Sequence, residues 1–403
     1  MDATCLIDGF GPLPVVRPTH VAELGDAIRH AASASEALYP IGGRTMLALG
    51  NPPTKAGKAI DMTALNAVID YPARDMTVTV QAGITVAKLN ELLRGENQRL
   101  PIDIPFPDRA TIGGAIATNV SGSRRFGFGT LRDYLIGITL IDDHGVEAKA
   151  GGRVVKNVAG YDLCKLYIGS LGTLGIVSQV TLKVKPNPEA SAIVGIPVST
   201  ASLSDLLDII DKTRTRPAMV DVLNQAAMSH IGRTEFGASD FVILVGFEEN
   251  AKAVEWQLEH LKTELASHTI QSLPLETWDA LRDLQLLPDA KLSFKANMVP
   301  SGVAEFVKTI NASSMQPVIH AHGLSGIVHG HIDTEPSSEK WAAMQAFATK
   351  HHGNIIVTRC PAEWKSVLPV WGRTTSDRAM MKAVKEKLDP QRLFNPGRFV
   401  DGI

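Results

Sequence analysis

The sequence predicts an α+β protein of more than one domain, with an antiparallel sheet in its later part. Three observations carry this. The 403 residues exceed what one ordinary core serves, so two domains, or one domain interrupted by another, are expected. Up to Pro186 and Pro188, short strand-like stretches alternate with helical periodicities and glycine-rich turns. From about Ala190 the texture changes to longer, charge-rich helices between alternating strands, an order that suits helices layered on an antiparallel sheet.

Each element follows from local pattern. Thr19 is placed to cap HVAELGDAIRHAA, whose Val21, Leu24, Ala27, Ile28 and Ala31 form an apolar stripe at helical spacing. ALYPI is a short strand. TVTVQAG alternates polar and β-branched residues, and Thr85 then caps VAKLNELLRG, closed by Gly95. Leu135 to Ala150 forms a hairpin about the turn DHG. A helix over YDLCKLYIGS leads into the strand GIVSQVTLKVKP. Beyond it, AIVGIPV, FVILVGF and KLSFKANMV read as strands and SDLLDIIDKTR, NAKAVEWQLEHLKTELAS and GVAEFVKTIN as helices. HAHGLSGIVHGHI reads as two strands about a Gly-Leu-Ser-Gly turn, which sends His320 and His322 to one face and His329 and His331 to a common face. SSEKWAAMQAFATKHHG, GNIIVTRC and the helix SDRAMMKAVKEKLDP follow, and the chain closes with QRLFNPGRFVDGI.

Composition narrows the function. An apolar fraction of 44% with 20% charged residues is that of a soluble globular protein. Lys+Arg 40 against Asp+Glu 42 leaves no basic excess, so no nucleic-acid partner is expected. Cys5, Cys164 and Cys360 have no CxxC spacing and argue against a disulfide scaffold, a zinc ribbon or an iron–sulfur cluster held by this chain. MDATCLIDGFGPLPVVRP lacks the pattern of a signal peptide and no later run spans a bilayer, so a cytoplasmic chain is expected, any membrane association being made through partners.

Three small-residue segments suggest a ligand cradle. In PIGGRTMLALG, the adjacent Gly42 and Gly43 let backbone amides converge into an anion nest, or simply make a turn. In PFPDRATIGGAIATNVSGSRRFGFG, Gly113, Gly114, Ala115, Ala117 and Gly122 remove bulk while Thr111, Thr118, Asn119 and Ser121 supply polar groups, which suits a long flat ligand better than a plain helix–sheet contact. Arg124 and Arg125 are as readily a solvated charge pair as ligand contacts. Gly169, Gly172 and Gly175 are spaced by three, which is not the nicotinamide-binding GxGxxG.

Together PIGGRT, TIGGAIATNVSGSRR and NVAGYDLCKLYIGSLGTLGIVSQVTLKVKP resemble the FAD-binding domain of the vanillyl-alcohol oxidase / p-cresol methylhydroxylase (PCMH) family, and LFNPGRF is similar to its C-terminal motif. The resemblance implies an α+β fold in which a two-subdomain PCMH-type FAD-binding domain, residues 1–188, carries an inserted α+β substrate or cap domain on an antiparallel sheet, 189–355, and a segment returning to the flavin, 356–403. It implies that Pro40, Ile41, Gly42, Gly43, Arg44 and Thr45 surround the pyrophosphate and that Thr111, Gly113, Gly114, Thr118, Asn119, Ser121 and Gly122 line the flavin. Gly172, Gly175, Ile176 and Val177 would run along the cofactor, and Asn395 would approach the ring. Arg44 and Thr45 stand where some members carry a flavin-linked histidine, so non-covalent FAD is expected.

Members that oxidise 2-hydroxy acids carry two metal-ligating histidines about a Gly-Asp-Gly-Asn stretch, and a later Glu-His-Gly. His322 and His329 match the pair in spacing, but residues 323–328 hold neither carboxylate nor amide and Cys360-Pro361-Ala362 replaces Glu-His-Gly. No metal is therefore expected. His322 or His329 serves as a base for a hydroxyl proton, or each is a strand histidine making one hydrogen bond. Arg359 and Arg373 are carboxylate clamps or surface charges. His351 and His352 suit a helix C-terminus.

The pattern most resembles the branch formed by the smaller of the two FAD-binding subunits of glycolate dehydrogenase, also called glycolate oxidase. That implies oxidation of a small 2-hydroxy acid within a complex that holds a second FAD-binding subunit and an iron–sulfur subunit. A self-sufficient D-lactate-like dehydrogenase and a structural subunit whose FAD never cycles are the other readings.

Overall fold

A computed structural model describes residues 4–152, 162–237 and 239–403. The chain divides into two compact units: Met1–Val120 with Thr130–Asn187 and Ala362–Ile403, and Ser121–Gly129 with Pro188–Pro361.

The first unit holds two main sheets. In the smaller, Thr4–Ile7 pairs antiparallel with Phe10–Val16, which runs parallel to Gly57–Asp61, itself parallel to Ala37–Ile41. The larger is antiparallel, in the order Val68–Asp70, Thr77–Gln81, Ile176–Lys183, Leu135–Ile141, Glu147–Gly151. Leu24, Ile28 and Ala31 of the first helix, Val21–Ala34, pack on Leu38, Ile60 and the C-terminal Leu393 and Phe394. Burial of each leucine, isoleucine or phenylalanine among these contributes about 1.5–3 kcal/mol. The helix starts one residue later than its sequence suggests. His20 occupies the cap position without a side-chain bond, and Thr19 instead donates its N–H and hydroxyl to Glu23. Thr85 does cap its helix, accepting from the Lys88 amide at 3.2 Å. The helix expected over YDLCKLYIGS is confined to Cys164–Tyr167, and Tyr161 lies outside the described residues.

The closing segment is stitched to the smaller sheet. Leu38 donates to the Leu393 carbonyl at 2.7 Å and the Asn395 amide to the Leu38 carbonyl at 2.9 Å, so residues 393–395 run beside Ala37–Ile41. Buried Lys385 holds the turn from inside, donating to Asp389, the Thr173 carbonyl and the Phe394 carbonyl at 2.5, 2.7 and 2.9 Å. Asp389 in turn accepts from the amides of Leu393 and Phe394, both at 2.8 Å.

The second unit is an eight-stranded, wholly antiparallel sheet. Its order is Gln271–Leu273, Ala190–Val198, Phe241–Glu249, Met219–Asn224, Val318–His322, Ile327–Ile332, Leu292–Asn297, Asn354–Arg359. The central strands Met219–Asn224 and Ile327–Ile332 are buried along their whole length. One face packs Met219, Leu223, Val242 and Leu244 against Trp278, Leu281 and Leu284 of the helix Thr277–Leu284.

Ser121–Gly129, expected to continue the flavin wall, belongs to this second unit. Arg124 is not a solvated charge: its guanidinium grips Glu248 through Nε and Nη2 at 2.9–3.1 Å and lies 4.0 Å from the Trp278 ring centroid. Arg125 donates to Ser121 Oγ at 2.9 Å, and Gly127 donates its amide to the Ala218 carbonyl at 3.1 Å.

Candidate functional site

In the first unit the three small-residue segments converge on one open cleft of about 440 Å³. Pro40, Ile41 and Gly42 enter from the end of a strand, Thr111, Gly113, Gly114 and Ala117 from the helix Ile112–Thr118, and Leu171, Gly172, Gly175, Ile176 and Val177 from the third segment. Helical spacing explains the middle wall. Ile112, Ala115 and Ile116 are buried, leaving Gly113, Gly114 and Ala117 toward the cleft. Thr111 caps this helix through the Gly114 amide at 3.2 Å.

The glycines serve both packing and the cleft. A Cβ on Gly113 would stand 2.8 Å from Ala82 Cβ, so a tight helix–strand contact, the less favoured expectation from sequence, is real here. On Gly43 it would meet the Arg109 carbonyl oxygen at 1.7 Å, which makes that residue a packing position, and it does not line the cleft. Gly172 has φ +66° and leaves only 2.9 Å between a Cβ and Pro40 Cγ. Larger residues at 42, 113 and 172 would push these walls. A narrow cleft walled by small residues on three sides fits a flat ligand such as a dinucleotide.

Other expected cofactor residues lie elsewhere. Arg44, with φ +57°, and Thr45 are outside the lining. Thr118 spends its hydroxyl proton on the Gly114 carbonyl at 2.9 Å, and Asn119 closes the helix in a left-handed conformation. Asn395 is not in the lining either; its side-chain amide donates to the Leu171 carbonyl and so fixes the loop that leads into Gly172. Ser121 and Gly122 belong to the second unit.

In the second unit the histidine stretch is the hairpin its alternation suggests, with His320 directly opposite His329 and Val318 opposite His331. All four rings share one face and are buried. Cross-strand register adds Asp221, opposite His322, and Lys295 and Ser293, opposite His329 and His331. None of the three was identified from the sequence. Each is a polar residue at the centre of an apolar strand, MVDVLN or LSFKAN, and that interruption was the available signal.

Asp221, fully buried, is the hub. It accepts from His320 Nε2 at 2.7 Å, His322 Nδ1 at 2.8 Å and Ser123 Oγ at 2.5 Å. Burial alone would raise its carboxyl, but His322 and His320 outweigh this by charge and hydrogen bonding and hold it well below the usual carboxylate range. A carboxylate only accepts, so His320 carries its proton on Nε2 and His322 on Nδ1. His320 Nδ1, His322 Nε2 and His329 Nε2 then have no hydrogen-bond partner among the described residues. Burial lowers His322, against the pull of Asp221, and drives His329 far below the ordinary imidazole value, with His322 and Lys295 adding to it. His331 stands apart, bonded to Ser293 Oγ at 2.8 Å and the Leu284 carbonyl at 2.9 Å, and burial takes it down to about 4. Lys295, partly buried, has no hydrogen-bond or ion-pair partner among the described residues, and burial beside Arg125 takes its amine down to about 8.

Residues 323–328 offer a metal no carboxylate, but the adjacent strand supplies one. Ligand atoms of Asp221, His320 and His322 lie within 4.8 Å of one another. Both carboxylate oxygens, however, are taken by imidazole and hydroxyl protons, so the group as it stands is a hydrogen-bonded acid–base cluster. Arg359 and Arg373 do not join it; both are exposed, and they fall in different units.

Comparison with known proteins agrees with this architecture. Residues 12–151 match the family model of the FAD binding domain and residues 371–399 that of the FAD linked oxidases, C-terminal domain. The chain is 30% identical to a D-2-hydroxyglutarate dehydrogenase of Xanthomonas citri over 97% of its own length and 89% of the relative's. It is 26% identical to glycolate oxidase subunit GlcD of Bacillus subtilis over 96% and 88%. Glycolate oxidase subunit GlcE of Escherichia coli matches at 33%, over 41% of this chain and 47% of that one. Among solved structures, an alkyldihydroxyacetonephosphate synthase superposes with a TM-score of 0.67 at 20% identity, covering 96% of this chain and 77% of that one, a likeness of fold. With its PCMH-type fold, its small-residue cleft and these relatives, the chain belongs to the family of FAD-linked 2-hydroxy-acid oxidoreductases, and FAD is its cofactor.

Proposed function

We propose that the chain oxidises a small 2-hydroxy acid and hands the electrons on as an FAD-binding subunit of a glycolate dehydrogenase complex. The observation that supports this substrate class best is the buried face where unpartnered imidazole nitrogens of His322 and His329 neighbour the unpaired amine of Lys295. A 2-hydroxy acid needs a base for its hydroxyl and a cation for its carboxylate. His322 or His329, neutral at pH 7, takes the hydroxyl proton, and Lys295 with the field of Arg125 holds the carboxylate. FAD, when bound, supplies the acceptor for the hydride from the substrate carbon. Pro40–Gly42, Thr111, Gly113, Gly114 and Gly172–Val177 would hold it without a covalent bond.

Similarity to two glycolate oxidase subunits, GlcD and GlcE, supports membership of a complex. The three cysteines are buried and form no disulfide among the described residues, and their sequence spacing does not suit a cluster, so an iron–sulfur exit for the electrons needs a partner subunit. Full-length similarity to a D-lactate dehydrogenase [cytochrome] of Arabidopsis thaliana, 26% identical over 96% of this chain, supports the alternative of a self-sufficient enzyme. Anaerobic titration of the FAD-loaded chain with glycolate and D-lactate tests the proposal. Bleaching of the oxidised-flavin band is expected, with steady turnover only once the second FAD subunit and the iron–sulfur subunit are added. Turnover by the chain alone favours the self-sufficient enzyme. A flavin that dithionite reduces but neither acid does, even in the assembled complex, refutes the proposal and leaves a structural subunit.

A further inference from the structure

We infer that Asp221 is a positioning residue that makes His322, rather than His329, the base, by locking its proton on Nδ1 and presenting the Nε2 lone pair. The inference rests on the proposal that a histidine of this hairpin takes the substrate's hydroxyl proton, and it says which one and why. Both rings have a buried Nε2 without a partner, so exposure does not separate them. What separates them is the carboxylate: His322 Nδ1 lies 2.8 Å from Asp221 Oδ1, whereas His329 makes no bond to a carboxylate among the described residues and faces Lys295 across the strands. When the hydroxyl proton moves to His322 Nε2, the bond to hydrogen breaks at the substrate oxygen and forms at nitrogen, and the imidazolium produced sits against an ionised carboxylate. At His329 the same charge would form beside Lys295, with no carboxylate bonded to it among the described residues. His320 and Ser123 donate to Asp221 Oδ2 at 2.7 and 2.5 Å, which keeps the carboxylate ionised and stationary. The groups facing His322 are therefore Asp221, His320, His329 and Arg125, and Asp221 alone favours its charged form.

The test uses the FAD-loaded full chain, with D-lactate and glycolate as reductants and anaerobic flavin reduction as the readout. Asp221→Asn keeps shape but lets an amide donate toward His322 and reverse its tautomer. The reduction rate is expected to fall by about 10²–10⁴-fold with the half-saturating acid concentration little changed. The acid limb of its pH profile should move to lower pH, because the group that raises His322 is gone. Asp221→Glu should recover part of the rate. Ser123→Ala removes one donor from the carboxylate and should move the limb the other way; a merely structural role moves neither. Long-range proton–nitrogen spectra of the histidine-labelled chain without FAD give a second readout: His322 should show a protonated Nδ1 in the wild type and lose it in Asp221→Asn. Wild-type rate and limb in a folded Asp221→Asn, or an unmoved limb in Ser123→Ala should Asp221→Asn not fold, overturns the inference. His322→Gln separates the two failures. If it keeps the rate, the assignment of a base to His322 falls and this inference with it; if it is inactive while Asp221→Asn is normal, only the role of Asp221 falls.

Discussion

Lys385→Met isolates the device that holds the closing segment against the cleft. Lys385 and Asp389 are almost wholly buried, with side-chain exposures of 4% and 0%, and their 2.5 Å contact is one of three bonds the ammonium makes. Methionine fills the same volume but donates nothing. Asp389 keeps two backbone amides as partners and loses the ammonium bonded to it, and the carbonyls of Thr173 and Phe394 each lose a donor. Breaking a buried pair from one side costs about 3–5 kcal/mol. At about 2–4 °C per kcal/mol for a domain of 150–250 residues, that lowers the unfolding midpoint of the first unit by about 6–20 °C. Thr173 sits between Gly172 and Gly175 of the cleft wall, and Asn395 follows Phe394, so FAD should be released in the same transition. The assay is flavin fluorescence during a thermal ramp, with Lys385→Arg and the double variant Lys385→Met/Asp389→Leu beside it. A midpoint within about 2 °C of the wild type, or release of FAD independent of it, would show that the Lys385–Asp389 pair does not hold this segment.

Further outcomes follow from the same geometry. His331 is buried neutral with its pKa taken down to about 4, whereas in the unfolded chain it titrates near 6.5, so the unfolded state binds the proton first. Stability is then complete above about pH 6.5 and falls by about 3 kcal/mol as the pH drops to 4, with His322 and His329 acting in the same direction. A urea midpoint, followed by tryptophan fluorescence, that is no lower at pH 5 than at pH 7.5 contradicts this. Lys295→Met should raise the half-saturating D-lactate concentration by about tenfold or more and affect the limiting rate less. In the wild type that concentration should climb above pH 8, as the free amine loses its proton, and a flat profile contradicts the assignment. Gly113→Ala puts a Cβ 2.8 Å from Ala82 and must push the helix Ile112–Thr118 off its strand, so FAD affinity measured by fluorescence quenching should drop; unchanged affinity refutes the close-contact account.

The fold was legible in sequence wherever period and punctuation agreed. Thr85 caps the helix its position announces, and the histidine stretch folds back on itself about Gly-Leu-Ser-Gly in the register its alternation requires. Thr19 misled because a glutamate four residues on competes for its donors. The cleft was legible because small residues recur at helix and turn positions that only a close approach explains. The acid–base cluster was only half legible. Asp221 and Lys295 reach the histidines by strand pairing across 99 and 34 residues of chain, and long-range register leaves no local trace beyond a charge inside an apolar strand. Arg124 was left open between solvent and ligand for the same reason, its partner Glu248 lying 124 residues away.

The most direct test of the central claim is a stopped-flow comparison of ordinary and C2-deuterated D-lactate and glycolate as anaerobic reductants of the FAD-loaded chain. At least one acid should bleach the flavin, and its deuterated form should do so more slowly, as hydride transfer from that carbon requires. A flavin that stays oxidised at saturating concentrations of both acids, in the chain alone and in the assembled complex, or bleaches at the same rate with deuterium as with hydrogen and with His322 replaced by Gln, would contradict this.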